Sequence, residues 1–202
     1  MATRFEEALG FELKVSNLLY ALCDYQTIIK QNILLYDFLN IIKKYDLKVL
    51  QYRDKINSIE TQIKNLQYLK KYIDIPIIIN DKIELIQYAD GIHLGQEDLE
   101  KIHVNKKLAI KIIRKRIGNK LLGLSTHNEI EILEANELDI DMIGLGAYKT
   151  TSTKDVPNIL GDKISYLAKI SNHPVCAIGG VDIEDKIENI SFNVVGSGLY
   201  DD

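Results

Sequence analysis

The chain has 202 residues, of which 46% are hydrophobic and 27% are charged, and its formal net charge is −4. These proportions are ordinary for one globular domain, and the acidic balance argues against a nucleic-acid-binding protein, which usually presents a basic face. Because no apolar run reaches the ~18 residues of a membrane span and the two cysteines lie far apart, we expect a cytoplasmic protein with buried, reduced thiols that does not bind membranes.

The first 16 residues differ in composition from the Ile- and Lys-rich remainder. In MATRFEEALGFELKVSN, acidic residues stand where a signal peptide would have its apolar stretch. We expect an additional helix packed on the domain, or a non-native extension, over residues 1–16. A single domain is expected over residues 17–202.

Eight short apolar runs divide this domain. Most are rich in Ile, Val and Leu without strict alternation, which is typical of parallel strands covered on both faces. The predicted strands are LLYALC (18–23), LKVLQY (47–52), IPIIIN (75–80), DGIHLG (90–95), LLGLS (121–125), MIGLG (142–146), PVCAIG (174–179) and FNVVG (192–196).

The segments between these runs have the apolar spacing of amphipathic helices. Ser58 and Asn128 precede two of them as candidate N-cap residues. The predicted helices are ILLYDFLNIIKKY, SIETQIKNLQYLKKYI, KIELIQYA, LAIKIIRKRI, EIEILEANE, LGDKISYLAKI and IEDKIEN. Strands alternating with helices indicate a parallel α/β protein.

Eight strands are the number that closes a (β/α)8 TIM barrel, and we predict this fold. An open doubly wound sheet is the alternative, but the Gly-rich turn that usually follows its first strand has no counterpart in ALCDYQT. The chain stops at SGLYDD after the eighth run, so we expect the last C-terminal helix to be missing. The N-terminal segment or a partner subunit of a homo-oligomer would then cover that side, or the fold would leave it exposed.

Polar residues collect at the carboxyl ends of the predicted strands, where a barrel has its active site. Arg53, Lys55 and Lys154 supply positive charge for phosphate groups. Asp81 and Asp98 come from two loops, and beside bound phosphates such a pair of carboxylates suits Mg²⁺. Glycines after the seventh and eighth strands allow backbone N–H groups to approach a second anion. Two anion sites imply two phosphorylated substrates or one long one.

The stretch QYRDK carries a directional prediction. Strand alternation places Gln51, Arg53 and Lys55 on one face, with Leu50 and Tyr52 on the other. We expect the first three side chains to face the interior of the barrel at its open end. The hydroxyl-rich residues 150–153 follow the sixth strand and are suited to a lid that closes over a ligand.

Six motifs resemble those of the thiamine-phosphate synthase family, which also contains the thiazole tautomerases. They are QYRDK, IIIND, ADGIHLGQEDL, GLSTH, GLGAYKTTSTK and AIGG, in the family's order, over residues 18 to 200. The resemblance implies a Mg²⁺-dependent transferase that joins 4-amino-5-hydroxymethyl-2-methylpyrimidine diphosphate to 4-methyl-5-hydroxyethylthiazole phosphate. The products would be thiamine phosphate and pyrophosphate. In that family pyrophosphate leaves first, and the thiazole nitrogen captures the resulting pyrimidine carbocation.

The resemblance also implies roles for individual residues. The catalytic residues would be Arg53, Ser125 and Lys154, and the Mg²⁺ ligands Asp81 and Asp98. The implied substrate-binding residues are Gln51, Tyr52, Arg53, Asp54, Lys55, Asn80, Ser125, Thr151, Ser152, Thr153, Lys154, Gly180, Gly196 and Ser197. Of these, the last three would hold the thiazole phosphate.

Two departures leave alternatives open. The family usually has Pro and an aliphatic or aromatic residue where Ala147, Tyr148 and Lys149 stand, and the SGLY ending resembles the tautomerases at least as much as the synthases. His127 matches the acid/base histidine of the tautomerases, but synthases commonly carry a histidine there too, so it does not decide between them. A thiazole tautomerase, which is an isomerase, and a non-catalytic binding protein for thiamine precursors are the competing hypotheses. The Lys of QYRDK, the ND pair and the aspartate of GQED favour the synthase. His93, within the fourth strand, is interpreted as a packed or supporting histidine rather than a metal ligand.

Overall fold

The computed structural model describes residues 2–13, 16–150 and 159–200. In these ranges eight parallel strands form a closed barrel in sequence order, and the last strand pairs with the first. The strands are β1 (Leu18–Asp24), β2 (Leu47–Arg53), β3 (Ile77–Asn80), β4 (Gly91–Leu94), β5 (Leu121–Thr126), β6 (Met142–Gly146), β7 (Val175–Ile178) and β8 (Phe192–Val195). The predicted TIM barrel is confirmed, and an open sheet is excluded.

Helices surround the barrel. Those formed by the described residues are α1 (Arg4–Leu9), α2 (Tyr25–Lys30), α3 (Leu35–Ile42), α4 (Ile59–Tyr72), α5 (Gln96–Ile102), α6 (Lys106–Ile117), α7 (Glu129–Ala135) and α8 (Lys163–Lys169). The Ser58 and Asn128 side chains accept the backbone N–H groups of Thr61 and Glu131, so both predicted N-caps are confirmed. In the part of the chain that the structure describes, no helix has the length and apolar character needed to cross a bilayer.

Two of the predicted helices are wrong in type. Ile83–Tyr88 is a 3₁₀ helix, and the segment 183–189 forms turns instead of a helix between β7 and β8. Those turns are fixed by the Asp185 carboxylate, which accepts the backbone N–H of Asp182, and by Asn193 Nδ2, which donates to the Asp185 carbonyl. Helices α2 and α5 were not predicted, because each buries a single residue and leaves no apolar periodicity.

Apolar side chains fill the half of the barrel interior that lies toward the amino-terminal ends of the strands. Apart from Phe5 of helix α1, they come from alternate positions of the strands, since successive strand residues point to opposite faces. The buried members of this inner cluster are Phe5, Tyr20, Leu22, Val49, Ile78, Leu121, Met142, Cys176, Phe192 and Val194. Residues between these positions, such as Leu50 and Tyr52 of β2, pack outward against the helices. Burial on both faces explains why the strands read as continuous apolar runs.

Helix α1 closes the amino-terminal end of the barrel. The Phe5 side chain is fully buried, and its ring stacks on Phe192 with 5.1 Å between the ring centroids. Arg4 Nε donates to Asp141 Oδ1 at 2.6 Å, and Asp141 Oδ2 also accepts Arg114 at 2.7 Å. The N-terminal helix therefore covers the bottom of the barrel and not the side next to β8.

Beyond β8, the described residues contain a short 3₁₀ helix, Ser197–Leu199, and no α-helix. The next residue, Tyr200, packs its ring edge-on against Phe38 of α3, with 6.0 Å between the centroids. Leu199 is also buried in the outer core. A short turn thus covers part of the outer surface that a last helix would cover in a longer barrel.

We expect Phe5→Ala to lower the free energy of unfolding by about 3–5 kcal/mol, because truncating a buried aromatic ring removes apolar contact and leaves a cavity. Denaturant unfolding followed by circular dichroism measures this change. Tyr166→Ala on α8 is the matched control, since the Tyr166 side chain is 62% exposed and its loss should change stability by less than about 0.5 kcal/mol. Equal effects of the two substitutions would contradict the role assigned to α1.

Candidate active site

A cavity of about 500 Å³ opens at the carboxyl ends of the strands. Every strand contributes an inward-facing residue to its wall. Taken in strand order, one residue from each is Tyr20, Gln51, Asn80, His93, Ser125, Gly144, Ile178 and Val194. The cavity exists because the inward positions change from large apolar residues to polar residues and glycines toward this end of the barrel.

The β2 wall agrees with the alternation predicted from QYRDK. Gln51, Arg53 and Lys55 all line the cavity. Gln51 is buried, and its Nε2 donates to the Tyr20 hydroxyl at 3.1 Å. The Gln51 side chain is thus held in one orientation by the neighbouring strand.

Asp24, at the end of β1, was missed by the sequence reasoning. Its buried carboxylate pairs with the Arg53 guanidinium through NH1. The same carboxylate accepts the backbone N–H and the hydroxyl of Thr27, each at 2.9 Å. Asp24 therefore caps α2 and fixes Arg53 at once. Its position directly after an apolar run was the available signal, since the carboxyl ends of the predicted strands were where polar site residues were expected.

Neither Tyr52 nor Asp54, both predicted to contact substrate, lines the cavity. The Tyr52 hydroxyl, on the outward face of β2, donates to Asp54 Oδ2 at 2.6 Å and accepts from Asn65 at 2.8 Å. Asp54 also accepts the backbone N–H groups of Ile56 and Asn57, each at 3.0 Å. These contacts order the loop that connects β2 to α4. Their geometry supports a structural role for both residues and not the predicted contact with substrate.

Asp81 lines the cavity, and Asp98 lies close to it in the first turn of helix α5, outside the cavity lining. Burial and the neighbouring charge of Asp98 raise the pKa of Asp81 above its ordinary value. Burial opposes ionisation of Asp98 as well, but hydrogen bonds from Lys101 and from the backbone of Gly95 outweigh it and lower the Asp98 pKa. Lys55 Nζ is 3.6 Å from Asp81 Oδ2.

This carboxylate pair fits a divalent cation. Two close carboxylates disfavour each other's ionisation, and a cation between them would remove that penalty. Among the described residues, no group of three or more His, Cys, Asp or Glu side chains could hold a metal ion. A metal here would therefore need oxygen ligands from bound phosphate and water, which is the coordination that Mg²⁺ prefers. Asp81 adopts φ = 63°, a left-handed conformation that Asp tolerates better than most residues.

Ser125 lies on the inward face of β5, below the charged rim. Its Oγ is 3.1 Å from His93 Nε2, and its carbonyl accepts Gln96 Nε2 at 2.7 Å. Burial lowers the pKa of His93 to about 4, so the ring is neutral at physiological pH. His93 is thus a supporting histidine in contact with a candidate catalytic residue.

The opposite wall contains the residues assigned to the second anion. Gly180, Gly196 and Ser197 all line the cavity. Gly180 has φ = 64°, and a Cβ there would come within 2.5 Å of the Thr150 carbonyl oxygen, so only glycine fits. Lys149 Nζ, from the same neighbouring segment, is bound to both carboxylate oxygens of Asp185 at 2.9 Å. The predicted site residues Thr151, Ser152, Thr153 and Lys154 lie outside the described residues.

His127 lies at the mouth of the cavity. Its Nδ1 is 2.9 Å from Glu131 Oε2, and its side chain is about half exposed. The position is open to a ligand.

The family model for thiamine monophosphate synthase matches residues 19–197. The thiamine-phosphate synthase of Persephonella marina is 38% identical over 141 residues, which are 66% of this chain and 63% of that protein, so the match spans less than two thirds of the relative. The corresponding protein of Picrophilus torridus is 32% identical over 181 residues, covering 82% and 83% of the two chains.

Solved structures share the fold at lower identity. A thiamine phosphate pyrophosphorylase from Pyrococcus furiosus is 19% identical, with a TM-score of 0.66 and coverage of 89% and 85% of the two chains. A type I 3-dehydroquinate dehydratase from Clostridium difficile is 12% identical, with a TM-score of 0.57 and coverage of 91% and 85%. These two likenesses concern the barrel alone, since one fold hosts many functions.

The β2 wall generates a binding prediction. We expect Lys55→Ala to weaken binding of inorganic pyrophosphate about tenfold, because the cavity loses a cation that can form a charge-assisted hydrogen bond. Isothermal titration calorimetry measures the affinity. Lys48→Ala is the matched control, since Lys48 lies on the same strand, pairs with Asp46 and does not line the cavity. Equal affinities of the Lys55→Ala variant and the unsubstituted protein would contradict the assignment.

Proposed function

Because the chain belongs to the thiamine monophosphate synthase family, we propose that it condenses 4-amino-5-hydroxymethyl-2-methylpyrimidine diphosphate with 4-methyl-5-hydroxyethylthiazole phosphate. The products are thiamine phosphate and pyrophosphate. The observation that carries the proposal is the convergence of Arg53, Lys55, Asn80 and Asp81 on one wall of a single cavity. That wall combines fixed cations with a carboxylate suited to Mg²⁺, as departure of a diphosphate requires.

The first step breaks the bond between the pyrimidine methylene carbon and the diphosphate oxygen, and the electron pair leaves with pyrophosphate. Arg53 is held by Asp24, so its guanidinium needs no reorganisation as negative charge develops. Lys55 and Asn80 face the same space, and we assign Lys154 to the same anion. Asp81 and Asp98 would hold the Mg²⁺ ion, which supplies charge neutralisation to the diphosphate oxygens.

The second step forms a bond between the thiazole nitrogen and the pyrimidine carbocation. The side-chain nitrogen of Gln51 donates a hydrogen bond to the Tyr20 hydroxyl. The side-chain oxygen of Gln51 is then available to accept a hydrogen bond from the exocyclic amine of the pyrimidine. Leu22, Ile178 and Val194 line the deeper wall. Their apolar surfaces disfavour water, which would otherwise react with the carbocation to form an alcohol.

The thiazole phosphate is assigned to the wall opposite Arg53. The backbone around Gly180, Gly196 and Ser197 is open to a ligand, and phosphate sites after the seventh and eighth strands recur in barrels. Thr151 and Thr153 are proposed to contact the thiazole. The dependence on Mg²⁺, the cytoplasmic location and a homo-oligomeric state stay predictions.

The proposal is tested by mixing the purified protein with both phosphorylated substrates and Mg²⁺. We expect pyrophosphate and thiamine phosphate to appear in equal amounts, as measured by a coupled phosphate assay and by liquid chromatography. Isomerisation of a thiazole carboxylate phosphate without condensation would identify a tautomerase instead. Binding of both substrates without either reaction would identify a binding protein.

A metal-site variant tests the assignment of Asp98. We expect Asp98→Asn to raise the Mg²⁺ concentration for half-maximal activity by at least about tenfold, because the site loses one of two anionic ligands. The substituted side chain keeps an oxygen that can accept the Gly95 N–H, so helix α5 should remain folded. Glu100→Gln on the same helix is the control, since Glu100 is an exposed carboxylate and, unlike Asp98, is not among the groups that act on Asp81. An unchanged Mg²⁺ dependence in Asp98→Asn would refute the assignment.

A further inference from the structure

The His93 ring occupies a space that two neighbouring strands leave open. A Cβ on Gly123 of β5 would come within 2.3 Å of His93 Nδ1, and a Cβ on Gly144 of β6 within 3.0 Å of His93 Cε1. Any larger residue at Gly123 would displace the ring, because real Cβ atoms do not approach so closely. Two inward-facing glycines, one on β5 and one on β6, therefore leave the space that the His93 imidazole occupies.

The ring makes one hydrogen bond inside the barrel. Nε2 is 3.1 Å from Ser125 Oγ, whereas Nδ1 is buried and has no hydrogen-bond partner among the described residues. A neutral imidazole carries its proton on one nitrogen only. If Nδ1 carried it, a buried N–H would lack an acceptor; if Nε2 carries it, the unpaired atom is a lone pair. Orphaned buried N–H groups are rarer than under-satisfied acceptors.

We propose that His93 is a positioning residue, and that its Nε2–H donates to Ser125 Oγ so that the Ser125 hydroxyl donates to the departing pyrophosphate. This inference rests on the proposed function and adds to it that the anion lies next to Ser125, which lines the same cavity as Arg53 and Lys55. With its oxygen accepting from His93, the hydroxyl hydrogen turns away from the ring and toward the cavity. The opposite tautomer would turn a lone pair of Ser125 toward the anion, which would repel it.

The low pKa of the ring is consistent with this arrangement. Burial keeps His93 neutral well below physiological pH, so the ring does not add a charge that would attract the anion to itself. The effect of His93 is then directional: it selects which way one hydroxyl points. A ring that only filled space would have no such effect, and a non-polar ring of similar size could replace it.

The tautomer is tested on the full chain labelled with ¹⁵N-histidine. The ¹⁵N–¹H correlation spectrum distinguishes protonated from unprotonated ring nitrogens, and His93→Gln identifies the His93 signals by their loss. We expect a protonated Nε2 and an unprotonated Nδ1 that do not titrate between about pH 5.5 and 8. A protonated Nδ1, or a ring that titrates within this range, would overturn the inference. This measurement does not depend on any catalytic activity.

The coupling to Ser125 is tested by pyrophosphate titration in the presence of Mg²⁺. We expect Ser125→Ala and His93→Phe each to weaken pyrophosphate binding about tenfold, the loss expected for one hydrogen bond to a charged group. The double variant should bind no more weakly than Ser125→Ala alone. His93→Gln, which can present an N–H near the position of Nε2, should recover part of the affinity that His93→Phe loses.

These outcomes separate the two claims. A further loss on adding His93→Phe to Ser125→Ala, or no recovery in His93→Gln, would overturn the inference and leave the proposed function intact. Failure of the unsubstituted protein to bind pyrophosphate would refute the proposed function and the role of the Ser125 hydroxyl together. Thermal unfolding of each variant identifies any change that reflects lost folding, and His93→Gln provides the comparison if His93→Phe does not fold.

Discussion

The pairing of β8 with β1 is the contact on which the site depends. It joins Leu18 to Phe192 and Ala21 to Val195 in register, and it closes the sheet into a ring. A closed ring of parallel strands brings every strand's carboxyl end to one mouth. Residues as distant in sequence as Arg53 and Ser197 consequently line the same cavity. In an open sheet with the same sequence order, the two ends of the chain would lie on opposite edges and could not share a ligand.

The period of two along each strand accounts for the part of the site that sequence reasoning could predict. Gln51, Arg53 and Lys55 were placed correctly because alternation needs only local information. The same rule puts Tyr52 on the outer face of the barrel, where the structure has it. Its predicted contact with substrate came from the family resemblance of the whole QYRDK motif and not from strand alternation. The ion pair between Arg53 and Asp24 joins two strands and leaves no local pattern, so it was out of reach. The apolar spacing of IEDKIEN suggested a helix, but the segment forms turns, from which Ile187 is buried and Ile183 partly buried.

Among the described residues, each lysine and arginine that lines the cavity has a carboxylate partner. Arg53 pairs with Asp24, Lys55 with Asp81, and Lys149 with Asp182 and Asp185. Such pairing avoids the cost of holding unpaired cations together before a ligand arrives. An anionic ligand must then share these cations with carboxylates that are already bound. Under the proposed reaction, Asp81 would help to hold Mg²⁺, and Lys55 would bind the diphosphate in place of its carboxylate partner.

The stacking of Phe5 on Phe192 helps to close the amino-terminal end of the barrel. With that end filled by the inner cluster, the cavity communicates with solvent through the mouth formed by the strand ends. Substrates and products of the proposed reaction would share this route out of the cavity that the described residues form. The first product would have to pass, or remain beneath, whatever still occupies the entrance. The closed amino-terminal end, which stabilises the barrel, would in this way fix the order in which the two products leave. Product release through the mouth would then set how fast the protein becomes free for its next cycle of the proposed reaction.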